Sequence, residues 1–418
     1  MRECTCGTPV PRLCINMITF RQLALARNWP VLAAVVVLAA LGVLTIWFDA
    51  RPDAVRTGLS DGQRQLIFLC AGIVGMLAFQ VVNYQKIGRW SWGFYIASLL
   101  LLLYTVVGGA LANPTSGVSI LPGVTRRNGA FNWISLGSFT LQPAELVKLS
   151  FIMVLARYLR FRKNYRTIKG LLPPFALAGA PMLLILKQPD LGTALTFIPC
   201  LLAMLFVAGA KVKHLSLIIG LGVFAGTVLW LSGTDRPFFR HMPDLIKKYQ
   251  RERVYAMFAE DPRTLQREGF QQHTALIAFG SGGWVGRGLG NIPVGRSVPE
   301  GHNDMVFALI GEQFGFFGSI VVIFAYIVLF TAGVEIASST RDPFGRLLAL
   351  GIVAVMAGQT FLNMLVAVKL FPVTGVTLPF ISYGGSSLLA SFLSIGLLLN
   401  IGQNRPIVMA NDSFEFDE

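Results

Sequence analysis

Charge is what this sequence has least of. Only 13% of its 418 residues are Asp, Glu, Lys or Arg, against about 25% in soluble domains. That shortage excludes an ordinary water-facing surface. Acidic residues are the scarcer sign, 21 against 35 basic, which leaves a net charge of +14. Such a balance invites a nucleic-acid reading. The Lys and Arg residues, however, fall between apolar runs, where they set topology and meet anionic lipid, so nucleic acid is not a partner. Histidine occurs four times and cysteine five. Cys4, Cys6 and Cys14 have no second ligand pair behind them, which excludes a zinc pattern and a disulfide framework. Cys70 and Cys200 lie inside apolar runs and read as small packers. The chain also lacks a short apolar core followed by a cleavage site. Its first apolar run, from Pro30, reads as a retained span, and Met17 is a second candidate start.

What is present in excess is hydrocarbon. Hydrophobic residues make up 54% of the chain and mean hydropathy is +0.62. A helix of about 20 apolar residues crosses a bilayer core and satisfies its own backbone in lipid. Runs of that length predict an all-α integral membrane protein of about ten transmembrane helices. They fall near 30–48, 64–82, 90–111, 143–159, 171–186, 190–209, 213–232, 304–333, 346–366 and 384–401. The fifth is short and holds Pro173, Pro174 and Pro181, which points to a kinked or partly re-entrant segment. A cytoplasmic tail of 1–29 and another of 403–418 would flank a membrane domain of 30–402. Lys and Arg crowd one set of connections, including Arg157, Arg160, Arg162, Lys163, Arg166 and Lys169, which puts both termini in the cytoplasm of a multi-pass inner-membrane protein. Two outer segments are too polar for lipid: 112–142, and a large extracytoplasmic loop, 233–302, between spans seven and eight. The stretch 242–258 has the spacing of a surface amphipathic helix, and Gly280-Ser281-Gly282-Gly283 follows it.

Several polar residues stand where polarity is costly. Glu145 and Lys148 lie three apart inside the fourth span, on one helix face. They are either a structural ion pair or a charged element that holds substrate. Asp190, at the start of the sixth span, reads as a helix cap, and Lys187 beside it could bind phosphate. Asp304, entering the eighth span, is either another cap or a general base at the membrane's outer face. There the helix terminus would lower its pKa and burial would raise it. Glu312 reads as a second buried polar partner, and His302 is a poor metal candidate without neighbouring His or Cys. Gly384-Gly385, with Ser382, Ser386 and Ser387, permits close backbone approach where irregular backbone must be satisfied.

These segments, in order, resemble the RodA/FtsW/SpoVE family. The resemblance is carried by Asn128-Gly129-Ala130 with Trp133-Ile134, Gln142 to Lys148, Lys187 to Thr193, Tyr249 to Val254, Ile277 to Gly283, His302 to Phe307, Gly311 to Gly315 and Leu378 to Ser387. The family pattern is broken at Asn132, Asn303, Met305 and Gln313. The resemblance implies an inverting glycosyltransferase that polymerises lipid II, with undecaprenyl diphosphate as leaving group and Asp304 as the catalytic acidic residue. It implies substrate-binding roles for Glu145, Lys148, Lys187, Arg251, Arg253, His302, Glu312, Ser382 and Ser386. Arg126, Arg127, Arg287 and Arg296 are further outer cations. It also implies a class B penicillin-binding protein as partner, and it allows a divalent cation (Mg or Mn) on the diphosphate. Ten spans with charges at mid-depth equally suit a flippase or transporter of a lipid-linked precursor, another lipid-linked glycosyltransferase or ligase, or an inactive scaffold. A transporter would need Glu145 and Lys148 and could dispense with Asp304.

Overall fold

The computed structural model describes residues 28–49, 59–112, 119–127, 130–137, 139–162, 164–232, 248–258 and 269–404. The tails with Cys4, Cys6, Cys14 and Met17, the side chain of Arg127, and 233–247 and 259–268 of the long connection lie outside the described residues.

The long helices are α1 (Trp29–Trp47), α2 (Asp61–Val81), α4 (Ser91–Ala110), α5 (Pro143–Arg160), α6 (Ile168–Lys187), α7 (Leu191–Ala208), α8 (Val212–Leu231), α11 (Val306–Ser339), α12 (Pro343–Ala367) and α13 (Gly385–Gln403). A short α3 (Tyr84–Arg89) precedes α4, while α9 (Lys248–Phe258) and α10 (Phe270–Ser281) lie in the long connection. Among the described residues nine helices are long and apolar enough to cross a membrane. The remaining expected span, α5, is made less apolar by Glu145, Lys148, Arg157 and Arg160, yet it is buried on nearly every face. Its two mid-span charges, Glu145 and Lys148, are hidden by protein, so lipid hydropathy does not apply to them.

Small residues set the closest approaches. Between α2 and α13, a Cβ on Gly396 would lie 2.7 Å from the Met76 carbonyl oxygen, and one on Gly72 would meet the Phe392 ring at 2.6 Å. Such contacts replace the hydrophobic drive that lipid removes. In contrast, α8 packs chiefly on α7 and buries only Leu215.

The re-entrance allowed for in the fifth span is not found, since α6 continues as one helix through its three prolines. Pro181 has no N–H for the Leu177 carbonyl four residues back. The Tyr95 hydroxyl from α4 donates to that carbonyl at 2.6 Å instead. Neighbouring helices can satisfy a carbonyl that proline leaves open.

Helix α11 differs in the opposite way. It is broken at Gly315 (φ 66°, ψ −159°), and the glycine-rich loop after α10 enters the break. Arg287 and Gly288 donate their backbone N–H groups to the Glu312 and Gln313 carbonyls at 2.8 and 3.1 Å. Phe316 and Phe317 donate theirs to Gly283 and Trp284 at 2.9 and 3.2 Å. Irregular backbone is tolerated here because the loop supplies these four hydrogen bonds where the helix cannot.

A three-stranded antiparallel sheet of β1 (Val124–Arg127), β2 (Ala130–Leu136) and β3 (Phe139–Leu141) caps α4 and α5, with Val124 opposite Ile134 and Ile134 opposite Leu141. The all-α expectation omits it. Strands this short offer too few alternations to announce themselves.

Candidate active site

The segment between α12 and α13 is wedged among helices. A Cβ on Gly192 of α7 would fall 2.2 Å from the Thr374 carbonyl oxygen, and one on Gly42 of α1 would fall 2.7 Å from the Ile381 Cα. This wedge is stitched to the loop before α11. Ser382 accepts the Leu378 N–H at 2.7 Å and donates to the Asn303 carbonyl. Tyr383 donates its N–H to the His302 carbonyl at 2.8 Å. From α12, the buried Asn363 amide donates to the carbonyls of Asp304 and Val376, each at 2.8 Å. The path of His302 to Met305 is therefore fixed from two sides.

Asp304 itself is not a helix cap. The N-cap position of α11 is Met305, without a side-chain cap bond. The Asp304 carboxylate accepts from the Gln271 side-chain amide of α10 at 3.2 Å. Burial, reinforced by Glu300, pushes its pKa up to about 7, against the opposing pull of its own backbone N–H, Gln271 and Arg253. Of the two opposing influences named for this residue, burial wins. A carboxylate that titrates near neutrality can take a proton.

The basic residues part company. Arg251 and Arg253 are two positions apart on α9 and so point to different sides. Arg251 donates to the Ser232 carbonyl and lies over the Trp230 ring at 5.9 Å. Arg253 donates to the Val373 carbonyl at 3.2 Å and acts electrostatically on Asp304. Lys187 is exposed at the end of α6. Arg287 and Arg296 donate to the carbonyls of Ser281 and Gly290, both at 3.1 Å, and Arg126 lies over Phe131.

The structure brings together His302, Asp304, Arg253 and Ser382, with Tyr383 against the His302 ring at 5.3 Å between centroids. It sends Glu312 elsewhere. That carboxylate, fully buried, accepts the N–H groups of Val294 and Gly295 at 3.1 and 2.7 Å and so anchors the glycine-rich loop. Ser386 accepts the Gln142 N–H and donates to the Thr140 carbonyl, both at 3.1 Å, which ties β3 and α5 to α13. Gln313, where the family pattern has Glu, donates to the Thr45 carbonyl at 3.3 Å.

Glu145 and Lys148 form a second centre. They are buried and paired at 2.8 Å. Their charges also reach Asp190, which caps α7 by accepting the Thr193 N–H at 3.0 Å and its hydroxyl at 2.8 Å. Burial raises the Asp190 pKa, while Thr193 and Lys148 oppose the rise.

Sequence reasoning passed over Gln271, Asn363 and Tyr383 as site residues. Gln271 and Asn363 are neutral amides whose partners are remote in sequence, so no local pattern flags them. Tyr383 stands in a segment already singled out. Burial pushes its phenol pKa up, with Asp61 adding to the rise and Arg64 opposing it.

Residues 28–406 match the family model FtsW/RodA/SpoVE, described as cell cycle protein. The chain is 35% identical over 383 residues to a probable peptidoglycan glycosyltransferase FtsW of Trichlorobacter lovleyi, covering 88% of this chain and 91% of the relative. It is 33% identical over 367 residues to stage V sporulation protein E of Bacillus subtilis, covering 86% and 90%. Among solved structures it resembles a chain of a peptidoglycan synthase complex, with a TM-score of 0.72 and 28% identity over 90% of this chain and 98% of that one. It also resembles the rod shape determining protein RodA of Thermus thermophilus, with a TM-score of 0.62 and 26% identity over 90% and 97%. With the match running almost from end to end of the described helices, the chain belongs to the FtsW/RodA/SpoVE family of cell cycle proteins.

Proposed function

We infer that this protein is a peptidoglycan glycosyltransferase that polymerises lipid II in cell elongation or division. The observation that carries the chemistry is Asp304, a buried carboxylate with a pKa of about 7, fixed at the end of the helix bundle that bears the β-sheet. Asp304 takes the proton from the acceptor's GlcNAc 4-hydroxyl. That oxygen attacks the anomeric carbon of the donor, and the bond to the diphosphate breaks with inversion. Undecaprenyl diphosphate leaves with the electron pair, and Asp304 returns its proton to water. Negative charge grows on the leaving group, where a fixed cation is worth most. Arg253 is the cation of α9 that acts on Asp304, so it is the better placed of the two arginines. Glu145 and Lys148 are proposed to contact substrate deeper in the bundle.

Assistance by Mg or Mn is a separate proposal. Among the described residues no group of three or more His, Cys, Asp or Glu is placed to hold a metal. A cation would therefore be held mainly by the phosphates, and no step above depends on it. A class B penicillin-binding protein is the proposed partner; the similar solved chain belonging to a peptidoglycan synthase complex supports it. The proposed location is the bacterial cytoplasmic membrane, with both termini inside and Asp304 outside.

The test is polymerisation of labelled lipid II in detergent by wild type and Asp304→Ala, each with its partner. We expect glycan strands from wild type and at least a hundredfold loss in the variant, within the roughly 10²–10⁴ range of general-base contributions. Full activity in a folded Asp304→Ala would move the base elsewhere. Lipid II moved across vesicles without polymer would replace the polymerase with a flippase.

A further inference from the structure

We propose that Gln271 is the positioning residue of this site: its side-chain amide fixes the direction of the Asp304 carboxylate and holds it ready to accept a proton. The inference rests on Asp304 as the base.

Gln271 lies in the first turn of α10, and its amide nitrogen meets two acceptors, Asp304 Oδ1 at 3.2 Å and the Pro299 carbonyl at 3.1 Å. An amide nitrogen has two N–H groups, and these two partners use both. The orientation of the amide is forced. The opposite flip would set its oxygen against the Pro299 carbonyl and the ionised Asp304 carboxylate, neither of which can donate. Asp304 and Pro299 flank the tight turn through Glu300 and His302, so one side chain clasps both ends of the loop that carries the base.

The clasp has a rigid mount. The next residue, Gln272, is buried and donates to the carbonyls of Val366 and Phe371 at 2.9 and 2.7 Å, pinning the start of α10 to the end of α12. The far end of α10 runs into the loop that is hydrogen-bonded across the break in α11. The helix that begins just after Asp304 and the helix that carries Gln271 are thus parts of one frame. Geometry held to a fraction of an ångström is what a supporting residue provides.

The residue type suits the task. A lysine or arginine at this position would stabilise the carboxylate strongly and depress its basicity. A neutral amide gives direction with a smaller penalty. The other charges acting on Asp304 are Glu300, which raises its pKa, and Arg253 of α9, which lowers it. His302 stands two residues away with its ring against Tyr383. Glu300 is itself held by the Asn303 amide.

The experiment compares full-length wild type, Gln271→Ala, Gln271→Glu and Gln271→His, each with its partner. Two curves are measured against pH: lipid II polymerisation, and carbodiimide labelling of Asp304 read by peptide mass spectrometry. Removing a donor to the charged form raises the pKa, so Gln271→Ala should move both midpoints upward by about half to one unit. At pH 7 its kcat should fall about tenfold with KM within about twofold, since the missing bond acts on the base and not on substrate affinity. Gln271→Glu sets two carboxylates within hydrogen-bond reach and should move the midpoints further. Gln271→His keeps a donor and should restore most of the rate. Unmoved midpoints in both Gln271→Ala and Gln271→Glu would overturn the inference. If Gln271→Ala does not fold, Gln271→Glu, nearly the same size, decides alone. If wild type makes no polymer, the polymerase reading fails, and the labelling midpoints still decide whether Gln271 positions Asp304.

Discussion

At the scale of single residues, the same sequence feature resolves into opposite structures. Asp190 and Asp304 each stand just before a helix, and the sequence offers a cap for both. Asp190 is a cap, because Thr193 presents both an N–H and a hydroxyl to it. Asp304 lies one residue too early and is turned toward α10. The pairing of Glu145 with Lys148 was legible from their spacing alone. The task of Glu312, which binds backbone amides seventeen and eighteen residues away, was not. Asp304 also carries a cost. Its folded pKa of about 7 exceeds the ordinary 3.8, so the folded state binds the proton more tightly than the unfolded chain. Stability must then fall as pH rises from about 4 to about 7, by up to about 4 kcal/mol at 1.36 kcal/mol per unit. Asp304→Asn removes that titration. Thermal melts from pH 4 to 9 should show the variant melting higher than wild type above pH 7, with the gap closing toward pH 4. A constant gap across that range would mean that Asp304 does not titrate there.

At the scale of elements, the apolar runs located the spanning helices with ends within about three residues, except α11, which continues to Ser339. Burial of an uninterrupted hydrophobic stretch is a local property, so local sequence reports it. Continuity is not. Helix α6 runs on through Pro181, where Tyr95 of another helix takes up the freed Leu177 carbonyl, whereas one glycine marks the break in α11, which a distant loop fills. The loop's own glycines separate two demands. Gly286 has φ 90°, and a Cβ there would sit 2.2 Å from the Gln313 carbonyl oxygen; Gly283 has φ 59° and nothing within 4 Å. Gly283→Ala should therefore cost about 1–2 kcal/mol, the left-handed backbone penalty alone. Gly286→Ala adds a steric clash against backbone that cannot turn aside, and should cost clearly more. Size-exclusion melting of the two variants in detergent checks the order. Equal melting points would mean that the loop is not seated in the α11 break.

For the whole molecule, side-chain bridges sort the connections into two ends without reference to hydropathy. Arg157 donates to the Gly88 carbonyl at 2.7 Å, and Arg160 pairs with Asp342 at 3.4 Å. The start of α4, the end of α5 and the start of α12 therefore share one end. The Ser386, Ser382 and Asn363 bonds gather the sheet, the loop before α11 and the start of α13 at the other. Exposed Lys86, Arg89, Arg160, Arg162, Arg166, Arg341 and Arg346 all belong to the first end. Basic connections are retained on the cytoplasmic side, which supports the proposed orientation, with that end inside and Asp304 outside, where a lipid-linked sugar would be used. Single cysteines in a cysteine-free background test this with a membrane-impermeant maleimide. Arg126→Cys, exposed in β1, should label in intact spheroplasts. Arg162→Cys and Arg341→Cys should label only after lysis. The reverse pattern would put Asp304 in the cytoplasm and remove the extracytoplasmic polymerase along with it. Labelling of all three in intact cells would break the two-ended sorting itself, since Arg126 and Arg341 would then face the same compartment.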